Sequence, residues 1–238
     1  MSIFNNLGTE GLEQQKDALG GGYQPLETGI YPAKIKTVYV TFSKGGAMAA
    51  NLVADIEGRE YREQLWITNK NGQNFFVNKT TGNKVPLPGF TQLNDLCLCA
   101  IGKELNQLDT EERIFKIYDM EAKAEVNKPV PTIVDLMDGE VYFAITKNLV
   151  DKTVKDASGN YVPSGETKEE NTIAKVFHAG TKMTVNEAKS GLKESAFFEK
   201  WHTKNAGKVM DKTSKDKGAK QAATAGAPQK PATKSLFG

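Results

Sequence analysis

Met48-Ala49-Ala50-Asn51-Leu52-Val53-Ala54-Asp55-Ile56-Glu57-Gly58-Arg59-Glu60-Tyr61-Arg62-Glu63-Gln64-Leu65-Trp66-Ile67-Thr68 is the stretch on which the fold turns. Glu57-Gly58-Arg59 is a tight hairpin signal between two strand-forming runs. In the second run Tyr61, Glu63, Leu65 and Ile67 alternate against Arg62, Gln64 and Trp66, the period-two pattern of a strand with one face in a core. Upstream, Ile30 to Thr41 alternates too, with Ala33, Ile35 and Tyr39 on one side and Lys34, Lys36 and Val40 near the other. Lys44-Gly45-Gly46 turns that strand into Met48. Downstream, Lys70-Asn71-Gly72 predicts a type I′ turn, and Asn74 to Asn78 a short strand closed by Thr81-Gly82-Asn83.

Pro86-Leu87-Pro88-Gly89 breaks the strand series. Phe90 to Ile101 reads as a buried helix, with Thr91 or Asn94 as cap, a stripe of Leu93, Leu96, Cys97 and Ala100, and Gly102 as its stop. Glu112 to Asp119 reads as a strand and Pro131 to Met137 as a short helix. Glu140 to Asp151 is a strand, Ala157-Ser158-Gly159-Asn160 a turn, and Thr172 to His178 its partner. Thr184-Val185-Asn186-Glu187 is a capping box. It predicts one helix to about Trp201 with Ala188, Leu192, Ala196 and Phe197 inward. One helix inserted in a strand series predicts a mainly β body. Its expected form is a five-stranded Greek-key barrel of the oligonucleotide-binding type, with two or three accessory helices. We place that body at residues 30–202, after a flexible segment 1–29 that contains Gly20-Gly21-Gly22.

The composition changes after Trp201. Residues 203–238 hold Val209, Met210, Leu236 and Phe237 as their only large apolar side chains, too few to offset the entropy of ordering. A disordered basic tail tipped by Leu236-Phe237 is expected, a tether that presents a short anchor. It carries eight lysines against Asp211 and Asp216, net +6, which leaves −4 of the chain's +2 for residues 1–202. Any phosphate binding by the body must then use a local basic groove rather than bulk charge. No apolar run is long enough to span a membrane. No signal peptide is visible, so a cytoplasmic protein is expected.

Enzyme chemistry finds no constellation. The chain has no phosphate-cradling glycine loop and no nucleophile elbow, and only two histidines, His178 and His202. Cys97 and Cys99 read as buried small hydrophobes rather than metal ligands. Carboxylate runs such as Asp109-Thr110-Glu111-Glu112 read as solvated faces. No catalysis, cofactor or metal is expected. What remains is aromatic residues among basic ones in short strands, the pattern of a groove that tracks phosphates and stacks bases. The stacking candidates are Tyr39, Phe42, Tyr61 and Trp66, then Phe75, Phe76, Tyr142 and Tyr161. Trp66 leads them, because it shares a face with Arg62 and opposes Leu65 and Ile67. Of Phe75 and Phe76, one points in and the other out. The phosphate candidates are Lys34, Lys36, Lys44, Arg59 and Arg62, followed by Lys70, Lys79, Lys84, Lys147 and Lys152.

Several segments resemble, in order from about Asn5 to Gly238, a group of tailed-bacteriophage single-stranded-DNA-binding proteins. They are Gly29-Ile30-Tyr31-Pro32-Ala33-Lys34-Ile35-Lys36, Glu60-Tyr61-Arg62-Glu63 and Ile67-Thr68-Asn69-Lys70-Asn71-Gly72-Gln73-Asn74-Phe75. Pro86-Leu87-Pro88-Gly89-Phe90 with Asp95-Leu96-Cys97, Gly165-Glu166-Thr167 with Glu169-Glu170-Asn171, and Lys234-Ser235-Leu236-Phe237-Gly238 complete the set. The resemblance implies an oligonucleotide-binding barrel and protection of single-stranded DNA in phage replication and recombination. The Leu236-Phe237 tip is a candidate contact for replication or recombination proteins, and a homodimer is one candidate assembly. The tail departs from the pattern of many such proteins, whose tails are acidic and compete with DNA. A non-enzymatic phage assembly or interaction protein with a tethered peptide is the alternative, and the −4 balance of residues 1–202 speaks for it.

Overall fold

Glu57 and Gly58 both take left-handed dihedrals (φ 52° and 78°). They close the two-residue turn between β2 (Met48–Ile56) and β3 (Arg59–Trp66), which pair from Ile56–Arg59 to Ala49–Trp66. The structure, a computed structural model, describes residues 24–119 and 122–214. β1 (Gly29–Phe42) lies on the other side of β2. The hairpin β4 (Phe75–Val77) and β5 (Lys84–Pro86) follows, then α1 (Pro88–Ile101). A ribbon of β6 (Glu111–Asp119) and β7 (Ala124–Thr132) leads to the long hairpin β8 (Glu140–Lys155) and β9 (Tyr161–His178). Two short helices, α2 (Val185–Lys189) and α3 (Phe197–Asn205), precede β10 (Val209–Asp211). The fold is mainly β, as expected. Among the described residues no helix is long and apolar enough to cross a membrane.

Five neighbouring strands, β3-β2-β1-β8-β9, curl around one core into which α1 sends Leu93, Leu96, Cys97 and Cys99. The sheet does not close into the expected barrel. β3 and β9 are its two edges, and no backbone ladder joins them. Side chains cross that seam instead. The Glu63 carboxylate accepts the Ile173 N–H at 2.8 Å, and the Gln92 amide of α1 donates to the Ile173 carbonyl. Both backbone groups that a ladder would use at Ile173 are thereby taken.

Burial pushes the Glu63 carboxyl above its usual range, although the Tyr61 hydroxyl at 2.5 Å and the Ile173 N–H both favour the charged form. The native state then binds that proton more tightly than the unfolded chain does. Stability from this group is full at acid pH and is lost as pH rises above the ordinary carboxylate range. Glu63→Gln keeps an acceptor for Ile173, so melting curves from about pH 4 to 8 should lose that downward slope. Parallel slopes for parent and variant would refute the assignment.

The first strand corrects the expected alternation. A bulge between Ile35 and Thr37 shifts the register, so Val38 and Val40 turn inward and Tyr39 turns to the outer face. The Lys70-Asn71-Gly72 turn has only Gly72 left-handed (φ 73°), so it is not type I′; the Asn69 carboxamide oxygen accepts from Asn71 and Gln73 N–H. α1 starts at Pro88 with no side-chain cap and ends, as expected, on left-handed Gly102. Residues Pro131 to Met137 yield only a 3₁₀ turn, Val134–Leu136, because Pro131 belongs to β7.

The C-terminal helix is broken. The Thr184 capping box forms, but α2 ends before Gly191 (φ 72°), and the same Glu187 carboxylate then caps α3 through the N–H groups of Ala196 and Phe197. With the single-helix periodicity gone, Ala188, Leu192, Ala196 and Phe197 are exposed, and Trp201 packs with Phe177 and Ala144. The folded body also outruns residues 30–202 at both ends. Asn171 exchanges hydrogen bonds with the backbone of Leu26 at 2.7 and 2.8 Å. β10 pairs in parallel with β8 at Lys147–Leu149, and Thr213 is buried. The rest of the expected tail, with Leu236 and Phe237, lies outside the described residues, as does 1–23 of the N-terminal segment.

Candidate nucleic-acid interface

The face of β1–β3 turned away from α1 carries two cross-strand rows, Tyr39–Asn51–Gln64 and Thr41–Ala49–Trp66. Side-chain hydrogen bonds tie them together. Gln64 donates to Asn51 at 3.0 Å, and Asn51 donates to Thr41 Oγ1 at 2.8 Å. Trp66 is 46% exposed, and its cross-strand neighbour Ala49 is small. The backbone of Trp66 is pressed against α1, where a Cβ on Gly89 would lie 2.4 Å from the Trp66 carbonyl oxygen. Glycine at position 89 is what lets the helix approach so closely, and it fixes the strand that presents the indole. Arg62 shares this face, opposite Val53, and pairs with Glu60 at 2.8 Å.

The turns beyond Trp66 gather cations. A Cβ on Gly46 would stand 3.6 Å from the Lys70 carbonyl oxygen, so the β1–β2 turn with Lys44 abuts the loop with Lys70. The β4–β5 hairpin is held beside them by Asn69 donating to the Phe75 carbonyl (3.3 Å) and Leu87 N–H donating to the Asn74 carbonyl (2.8 Å). Phe76 is the exposed member of its pair, whereas Phe75 is half-buried under the Lys84 ammonium, 4.6 Å from the ring centroid. Phe42, at the end of β1, is 61% exposed. Lys44, Lys70 and Lys79 at this end, and Arg59 at the opposite end of the hairpin, are exposed and have no ion pair among the described residues.

The other candidates lie elsewhere. Lys34 pairs with Asp138 at 2.9 Å and Lys36 with Asp55 at 3.3 Å. Lys147 sits between Glu27 and Glu169, both at 3.0 Å, and Lys152 pairs with Glu166 at 2.9 Å. The bonds to Asp138, and to Glu27 and then Glu169, hold the Lys34 and Lys147 ammoniums above their usual range. Tyr61 is buried with its hydroxyl on Glu63, so it offers no ring to a base. Tyr142 packs edge-on against Phe198 at 5.5 Å. Tyr161 is exposed on the β8–β9 hairpin with Lys155 5.4 Å from its ring. One aromatic escaped the sequence reading: Phe115 of β6 stacks on Tyr39, centroids 5.2 Å apart and planes at 20°. The bulge that turns Tyr39 outward leaves no mark in the residue pattern.

Among the described residues no group of three or more His, Cys, Asp or Glu side chains is placed to hold a metal ion. Burial pushes the Cys97 and Cys99 thiols up to about 12, far from the range of a reactive thiolate. No protein-family model matches the chain, and no curated protein matches it.

Proposed function

We propose that this chain is a non-enzymatic single-stranded-DNA-binding protein that coats unpaired strands during phage DNA replication and recombination, largely without regard to sequence. The observation that carries this is Trp66, a half-open indole on the Arg62 face, next to turns that present the unpaired Lys44 and Lys70. Bases stack on Trp66 and on the exposed Phe76, while Lys44, Lys70, Lys79 and Arg62 meet phosphates. Stacking holds the strand in a conformation that cannot pair. Arg62 must release Glu60 to meet a phosphate, and Lys34, Lys36, Lys147 and Lys152, likewise held by carboxylates and set away from Trp66, contribute less. The Leu236-Phe237 tip is the proposed contact for replication or recombination partners.

Fluorescence-polarisation titrations with single-stranded and duplex DNA of one sequence test the proposal. The expected result is a length-dependent preference for the single strand. Four phosphate contacts predict a slope of log affinity against log salt of about −3. Equal, weak binding to both forms would favour an assembly or interaction protein, a reading supported by the ion pairing of those four lysines.

A further inference from the structure

The β6–β7 ribbon overhangs the face just described. Its two sides differ. On one, Ile114 is 72% exposed and Lys116 and Asn127 are open to solvent. On the other, Val130 is buried and Phe115, Ile117 and Val126 are half-exposed, with the exposed Arg113 and Lys128 beside Val130 and Phe115. This side, which carries the half-exposed rings and aliphatics, turns toward the body, since Phe115 stacks on Tyr39. The ribbon is buried at its root, at Val130 and Thr132, and half-exposed from Phe115 onward. It also joins the sheet lightly: β7 pairs with β1 at a single position, Tyr39 opposite Thr132, next to the Ile133 N–H bond to the Val38 carbonyl at 2.9 Å.

A half-exposed parallel ring pair, on a ribbon hinged at one end, has the chemistry of a base clamp. Inserting a flat base between the rings exchanges one ring–ring contact for two. The polar floor of Asn51 and Gln64 lies beside it, in the same row as Tyr39. We propose that the β6–β7 ribbon is the second wall of the nucleic-acid groove, and that Tyr39 and Phe115 part to take a nucleobase between them. This rests on the single-strand reading above, and extends the path of the strand from Trp66 across β2 to β1.

The test compares Phe115→Leu, which keeps apolar packing but removes the ring face, with Phe115→Tyr and with Ile114→Ala on the opposite side of the ribbon. Phe115→Leu should weaken oligo-dT binding about fivefold or more, while Phe115→Tyr and Ile114→Ala bind like the parent. Ultraviolet cross-linking of the parent to oligo-dT, with the adducts mapped by mass spectrometry, is independent of how the variants fold. It should mark Tyr39 or Phe115 as well as Trp66. Adducts at Trp66 alone, with normal binding by Phe115→Leu, would overturn the clamp and leave the wider reading intact. A parent that does not bind single strands at all would overturn both.

Discussion

Trp66→Ala should lower affinity for oligo-dT by about 5- to 150-fold, the equivalent of one stacked base at about 1–3 kcal/mol. The residue is suited to so clean a result. Its neighbours in the strand, Leu65 and Ile67, bury their side chains in the core, while the indole stands on the other face. Removing the indole takes nothing from the packing around α1, and its backbone contact with Gly89 survives any substitution. The melting temperature should therefore stay within about 2 °C of the parent. A folded Trp66→Ala protein that binds oligo-dT as tightly as the parent would remove the central stacking residue and the proposal with it.

Glu187→Ala should cost about 3 kcal/mol of stability, a fall in melting temperature of about 10 °C. One buried carboxylate accepts the N–H groups of Thr184 (2.9 Å), Ala196 (2.8 Å) and Phe197 (2.7 Å), besides the Thr184 hydroxyl at 3.2 Å. It therefore caps two helices at once, and alanine strands three backbone donors. Burial alone would raise this carboxyl, but the donations from Thr184, Ala196 and Phe197 outweigh it and hold it below the usual range. The sign follows: the stabilisation is complete above the ordinary carboxylate range and is lost as pH falls through the lowered value. Parent and variant should converge in acid. A loss under about 1 kcal/mol at neutral pH, by chemical denaturation, would sink this account.

The β2–β3 hairpin was readable because its turn residues, its alternation and its core demand agree residue by residue. Tyr39 was not, because a one-residue bulge at Lys36 reverses every side chain after it, and nothing in the composition of β1 announces one. β7 hid behind its prolines: Pro131 reads as the first turn of a short helix, yet it and Pro129 are accommodated in a two-stranded ribbon. β10 was missed for a different reason. It is held by backbone hydrogen bonds to β8 while Val209 stays exposed, so counting apolar residues could not find it. The broken helix between Val185 and Asn205 depended on a tertiary cap from Glu187. Of the candidate site, the residues themselves were legible. Which lysines had already been neutralised was not, since Asp138 and Glu27 are remote in sequence from Lys34 and Lys147.

A body fastened along one line by a carboxylate and an amide does not resist deformation equally in all directions. Separating β1 from β2 or from β8 tears a row of main-chain bonds. Drawing β3 away from β9 breaks no such row; the polar link between the two strands is the grip of Glu63 on Ile173, while Gln92 ties β9 to α1. Compliance is thus greatest along the β3–β9 seam near Glu63, while the Trp66 end of β3 stays held against α1 at Gly89.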